Sequence, residues 1–192
     1  PPAARTVRVT DRTAPAIAVG LFFPIPPHAH RDTPALELLE VLMSQGGASR
    51  LNTALVREAL AALGTQGGVL GQRRGPGAFG LFAIAAKGVP ADSLAALLAA
   101  QARWAAGDGL TEAELARARR IYRATAVSGR ERPGDISGAL QHAAMFHGDP
   151  EAVNTEVDRV LAVTLTDLRR AAATWLNPGT GLTLIVSPEE AR

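Results

Sequence analysis

Apolar and polar residues alternate from Thr6 to Thr10, with Val7 and Val9 on one side, and a β-branched and aromatic run follows at 16–23 across a polar turn at 11–13. Such runs suit a pleated, half-buried surface and predict two strands. A loop rich in Pro and His (24–30) leads to an apolar stripe of Leu36, Leu39, Met43 and Leu38, Leu42. The stripe predicts a helix from Thr33 or Pro34 to Ser44, capped by Thr33 and closed at Gly46-Gly47. Ser49 then caps a second helix predicted over 50–63, with Gly64 as its left-handed terminator. So short a turn predicts that the two helices pack as a hairpin.

Two glycine-containing strand segments come next, 65–74 and 79–87, joined through Gly75-Pro76-Gly77. They predict an antiparallel hairpin. Asp92 caps a helix carrying Leu94, Leu97, Leu98, Gln101 and Trp104. Thr111-Glu112-Ala113-Glu114 is a capping box that opens a helix to about Val127. Residues 129–134 interrupt it, a helix is predicted over 136–146, and Asp149-Pro150 starts another short one. Thr164 or Thr166 caps the last helix, 167–176, which Asn177-Pro178-Gly179 stops before a strand at 182–186. The order β-β-α-α-β-β-α-α-α-α-α-β predicts an α+β sandwich, with a mainly antiparallel sheet covered on one face by helices.

Composition narrows this picture. With 192 residues, 47% apolar and 20% charged, the chain reads as a single globular α+β domain, 1–192. It begins Pro1-Pro2, without a signal peptide or a run long enough to span a membrane. The expectation is a domain cut from a longer chain, with 1–5 as a linker remnant. Only five Phe, two Trp and one Tyr are present, which argues against readers of nucleic acid that stack bases on aromatic rings. The net charge is only +2, so the basic clusters at Arg73-Arg74, Arg117–Arg123 and Arg169-Arg170 read as solvated helix faces. No nucleic-acid partner is expected.

The absence of Cys excludes disulfides, thiolate nucleophiles and Cys-ligated zinc. His28 and His30 are the most metal-like feature, because i and i+2 on an extended segment point the same way. A catalytic zinc needs a third ligand and an activating carboxylate, and Asp32 is too close to serve. None of the four histidines, including His142 and His147, has a His at i+4. No serine sits in a Gly-x-Ser-x-Gly elbow. The expectation is therefore no catalytic residue, no metal ligand and no cofactor in this domain. The glycines from Gly67 to Gly77 suit an edge strand that pairs with an extended peptide. Arg57 should sit at the core boundary, paired with Glu58 or anchoring a substrate carbonyl or a partner carboxylate.

Four stretches, in order, resemble the second half of pitrilysin/insulinase-type zinc metallopeptidases. They are Thr33–Leu39, Gly47-Ala48-Ser49-Arg50-Leu51 followed by Leu55-Val56-Arg57-Glu58, Gly109–Ala118, and Val163-Thr164-Leu165-Thr166-Asp167-Leu168 with Asn177-Pro178 beyond. The resemblance implies two similar halves enclosing a proteolytic chamber. One half binds zinc through an inverted His-x-x-Glu-His motif, and the other lacks that motif and helps hold an extended peptide by strand addition and an Arg/Tyr pair. This chain lacks the motif, so it resembles the metal-free half, with zinc expected in a partner catalytic domain or subunit. The Arg falls on Arg57. The Tyr is missing, since Leu63 and Gly64 stand where it belongs and the chain's one tyrosine is Tyr122. The resemblance also suggests a bacterial extracytoplasmic setting. Two other readings stand beside it: a non-proteolytic assembly module of the same fold, like core subunits of respiratory complexes, and a His28/His30 metal-binding protein.

Overall fold

The computed structural model describes residues 3–71, 74–129 and 133–189, with the side chain of His147 left out. Residues 72–73 of the segment predicted at 65–74, with Arg73 of the basic pair, 130–132 of the interruption and the first two linker residues lie outside the described residues. The strands are β1 (Arg5–Asp11), β2 (Ala18–Ile25), β3 (Ala62–Leu70), β4 (Gly77–Ala85) and β5 (Leu182–Pro188). The helices are α1 (Thr33–Ser44), α2 (Ala91–Ala106), α3 (Glu112–Ser128), α4 (Pro133–His147), α5 (Val153–Leu161) and α6 (Leu165–Trp175). A π-helical turn spans Asn52–Glu58, and short 3₁₀ turns span Pro150–Ala152 and Pro178–Thr180.

The five strands form one sheet in the order β1-β5-β2-β4-β3. It is antiparallel except where β1 runs parallel to β5. The predicted α+β class holds, but β1 and β2 do not pair with each other. The C-terminal strand β5 inserts between them, with Gly20 opposite Leu184 and Val7 opposite Leu184 on the other side. The physical reason lies in the side chains. β5 carries apolar residues on both faces, as an interior strand requires, whereas every residue of β1 is exposed, as suits an edge.

The core lies on one face of the sheet. Val19, Leu21, Phe23 and Ile25 of β2 and Phe79, Leu81, Ala83 and Ala85 of β4 point into it. They meet Leu36, Leu39 and Met43 of α1, Leu94 and Leu98 of α2, and Leu168 and Ala172 of α6. Phe23 and Phe79 are fully buried, each worth roughly 2–3 kcal/mol of transfer free energy.

Several local expectations shift at element ends. α1 begins with Thr33 inside the helix and Asp32 at the N-cap, where the Asp32 carboxylate turns away to Arg170 and Trp175. α2 is capped by Pro90, because Asp92 pairs with Arg8 of β1 instead. The helix predicted over 50–63 stops at Glu58 and packs on β3 rather than forming a hairpin with α1. Leu60, at φ 50°, takes the left-handed position assigned to Gly64, and the Ala61 N–H closes the turn on the Leu55 carbonyl at 2.9 Å. The extra residue of the π turn moves the helix end forward, so Leu63 and Gly64 already belong to β3. The capping box at Thr111/Glu114 forms as read, and of the two candidates for the last helix Thr164 is the cap, in a second box with Asp167 that starts α6 at Leu165 rather than at Asp167.

Arg120 and Arg123 are exposed as expected, but three other arginines of the basic clusters are tied into the fold. Arg117 donates to the carbonyls of Ala48 and Leu42, Arg119 to Val163, and Arg169 to Leu110 at 2.7 Å. Each guanidinium thus supplies donors to loop or helix-end carbonyls that lack helical partners.

Candidate functional site

Among the described residues, no helix packs on the second face of the sheet. Its residues are the alternate positions of the strands, including Leu184 and Val186 of β5, Ala18, Gly20 and Phe22 of β2, and Phe82 and Ile84 of β4. They line an apolar groove of about 640 Å³ that extends to Gly64–Leu70 of β3. The tripeptide Gly-Leu-Phe occurs twice, at 20–22 and 80–82. The antiparallel register sets Gly20 opposite Phe82 and Phe22 opposite Gly80. The two rings meet edge to face, 5.0 Å between centroids. A Cβ at Gly20 would lie 2.8 Å from the Phe22 ring and one at Gly80 would lie 2.6 Å from the Phe82 ring. The glycines therefore let both rings lie down across the strands, and the repeat was the sequence signal for this pair.

β3 is an edge strand, as expected from its glycines, but α1 already covers the middle of that edge. Ser44 Oγ donates to the Gly67 carbonyl at 2.8 Å, and Glu40 Oε2 accepts from the Val69 N–H at 3.1 Å. Gly68, at φ +148°, makes room for the Glu40 carboxylate, which would lie 2.6 Å from a Cβ there. Burial raises the Glu40 pKa, and the Val69 N–H works against that rise. A peptide adding to β3 would find the Gly67 carbonyl and the Val69 N–H already taken.

Arg57 is exposed, at the end of the π turn, rather than at a core boundary. Its guanidinium lies beside Gly47, outside the groove, and among the described residues it makes no ion pair with Glu58. Arg50 is used internally: its Nε donates to Gln101 at 2.8 Å and its guanidinium stacks 4.3 Å from the Trp104 ring centre. Tyr122 does not substitute for the missing Tyr near Arg57. Its hydroxyl donates to Glu37 Oε2 at 3.0 Å, about 10 Å of helix before α1 ends at Ser44, whereas Arg57 lies beside Gly47, beyond that end.

His28 and His30 do not share a direction, because Pro27–His30 is a turn closed by the His30 N–H on the Pro27 carbonyl. That geometry removes the His28/His30 ion-sharing reading. His30 Nδ1 accepts the Asp32 N–H at 3.1 Å, and its ring packs edge-on to Trp175. Asp32 is buried, and burial pushes its carboxyl up. Hydrogen bonds from Trp175 and Arg170 more than offset this and hold it below the ordinary carboxylate range. His28 instead turns inward to His142 and Phe146. Among the residues that line the groove there is no nucleophile–base pair.

Residues 1–122 match the family model of the peptidase M16 inactive domain. The chain belongs to that family. The match to the M16 inactive domain agrees with the missing zinc motif and with the resemblance carried by Thr33–Leu39, Ser49–Leu51 and Leu55–Glu58. Among solved structures, the M16 inactive domain described here superposes on the inactive peptidase domain of a protein assigned as a zinc protease from Bordetella parapertussis. There the TM-score is 0.82 and the identity 26%, covering 95% of this chain and 99% of that one. A protein assigned as a zinc protease from Bordetella pertussis gives a TM-score of 0.76 at 25% identity, over 88% of this chain and 92% of that one. A protease from Helicobacter pylori shares the fold at TM-score 0.88 and 23% identity. This chain is 97% covered in that comparison but spans only 44% of the Helicobacter chain. No curated protein matches. Among the described residues, no helix is long and apolar enough to cross a membrane.

Proposed function

We propose that this inactive domain forms one wall of a peptidase chamber and holds extended peptide, while zinc-dependent hydrolysis takes place on a partner catalytic domain or subunit. The observation that carries this reading is the helix-free sheet face, with its apolar groove and the Phe22–Phe82 pair. Contiguous exposed apolar surface of this kind suits alternate side chains of an extended chain. The groove contains no acid–base–metal constellation, so this domain contributes binding and the partner contributes the chemistry. Arg57, exposed and unpaired with Glu58, is the one cation we assign to peptide carbonyls or to the partner half. Zinc belongs to the catalytic half in this reading, and no peptide-cleaving cofactor is assigned to this chain.

The test is reconstitution. The chain mixed with the zinc-binding half should give zinc-dependent peptide cleavage that neither gives alone. Cleavage by the isolated chain would sink the proposal. A second reading, an assembly module without a peptidase role, is favoured by Leu63 and Gly64 at the place of the expected Tyr and by the commitment of Tyr122 to Glu37. It predicts a stable complex with the other half and no cleavage from the mixture.

A further inference from the structure

Three side chains from separate elements converge in the helix layer. They are His28 from the β2–α1 loop, His142 from α4 and Glu156 from α5. One ring nitrogen from each histidine and one carboxylate oxygen all lie within 4.8 Å of one another. His28 is buried, and with Glu156 it borders a small cavity of about 10 Å³, room for roughly one water-sized occupant. Glu37 and Arg159 border the same cavity.

We propose that His28, His142 and Glu156 form a binding site for a divalent metal ion of the zinc, cobalt or nickel class. Two imidazoles and one carboxylate suit these borderline metals, whereas magnesium and calcium prefer all-oxygen shells. Bond lengths near 2.0–2.1 Å put neighbouring ligands of a tetrahedral ion about 3.4 Å apart. Drawing the three groups in from 4.8 Å requires only small rotations of the side chains. Binding takes the imidazoles neutral and the carboxylate ionised, and any proton they carry is released.

The chain order of the ligands explains why sequence spacing did not show them: His28 is more than a hundred residues from His142 and Glu156, and the three lie on no common helix. Their placement also suggests what the ion does. α4 buries little, with Ala143 its one core side chain and Ile136, Leu140 and Met145 exposed among the described residues. A metal bridging His142 to the β2–α1 loop and to α5 would clip α4 to the body of the domain. The site lies on the helix side of the sheet, opposite the groove, so it does not depend on peptide binding.

The experiment is a titration of the full 192-residue chain, made without a polyhistidine tag, with ZnCl₂ by calorimetry and with CoCl₂ by visible absorption. The expected result is one ion per chain, a cobalt spectrum of low-coordinate nitrogen and oxygen ligation, no response to MgCl₂, and a Tm raised by about 5 °C or more at a hundredfold excess over Kd. His142→Ala and Glu156→Gln should each weaken binding at least tenfold, and His30→Ala should not. Should His142→Ala fail to fold, the isosteric Glu156→Gln carries the test alone. Absence of stoichiometric binding overturns the site. So does binding that His142→Ala and Glu156→Gln leave unchanged, or that His30→Ala weakens equally.

Discussion

The Tyr122 hydroxyl donates to Glu37 Oε2 at 3.0 Å, tying α3 to α1 at a point where the carboxyl is largely removed from water. Desolvation dominates there. Despite the hydrogen bond from Tyr122, and with Glu156 and Glu40 nearby, it raises the Glu37 pKa to about 7. The same burial and the Glu37 charge push the Tyr122 hydroxyl up as well. Because the folded-state pKa of Glu37 exceeds its unfolded value of 4.5, its favourable contribution is complete below about pH 4.5 and is lost as pH rises to about 7. Glu37→Gln should remove that slope, so the variant gains on the wild type by up to about 3 kcal/mol between those limits. Urea unfolding at a series of pH values measures it. Parallel curves for the two proteins would rule out the assignment.

Gly68 and Glu40 should show strong coupling. Gly68→Ala adds a methyl into the Glu40 carboxylate at a backbone angle that side chains avoid, and should cost about 1–3 kcal/mol. Glu40→Ala relieves the clash but leaves the backbone strain, so the double variant should be less destabilised than the sum of the singles. A double-mutant cycle by denaturant unfolding gives the coupling energy.

Asp32 is the buried hub of α6 docking, accepting from Arg170 Nη1 at 2.7 Å and from Trp175 Nε1 at 2.9 Å. Asp32→Ala removes the acceptor of Arg170 Nη1 and Trp175 Nε1, leaving Arg170 the longer contact to Asp167 at 3.4 Å, and should destabilise by about 1–3 kcal/mol, with a change in Trp fluorescence. The Asp32 pKa is lowered, so its contribution is present above the ordinary carboxylate pKa. It is lost as pH falls through the depressed value, and acid unfolding of the wild type should report that loss.

Arg57→Ala should leave stability within about 0.5 kcal/mol, because the side chain is exposed. In the reconstituted peptidase it should raise KM several-fold, with kcat changed less. An unchanged KM would remove Arg57 from the peptide or partner contact.

Ile84 stands on the open sheet face, 47% exposed. Ile84→Asp should therefore keep the fold, with a Tm within a few degrees of wild type, yet weaken the binding of an extended apolar peptide about tenfold. Fluorescence anisotropy with a labelled peptide separates the two effects, and unaltered affinity would count against the groove.

Much of the domain is legible along the chain. The alternation in β2 and β4 fixes which residues face the helices, and the box at Thr111 fixes where α3 begins, because each depends on contacts within a few residues; for α6 the sequence left Thr164 and Thr166 open. The C-terminal edge of the second helix was not legible. A π turn ends it early, and Leu60 takes a conformation that composition assigns to glycine. The Gly-Leu-Phe repeat was visible as letters, but only the antiparallel register joins its two copies into one aromatic pair over two glycines.

The sequence alone determined the α+β class, the apolar face of each element, the absence of cysteine chemistry and the lack of a zinc motif, all of which follow from residue identity and short-range periodicity. Tertiary structure decided where β5 goes, which edge groups α1 covers, what Tyr122 touches, and that His28 meets His142 and Glu156 rather than His30. Those outcomes depend on closing loops of tens to more than a hundred residues, and the shared burial of one sheet face and the helix layer selects among closures that local patterns leave equal.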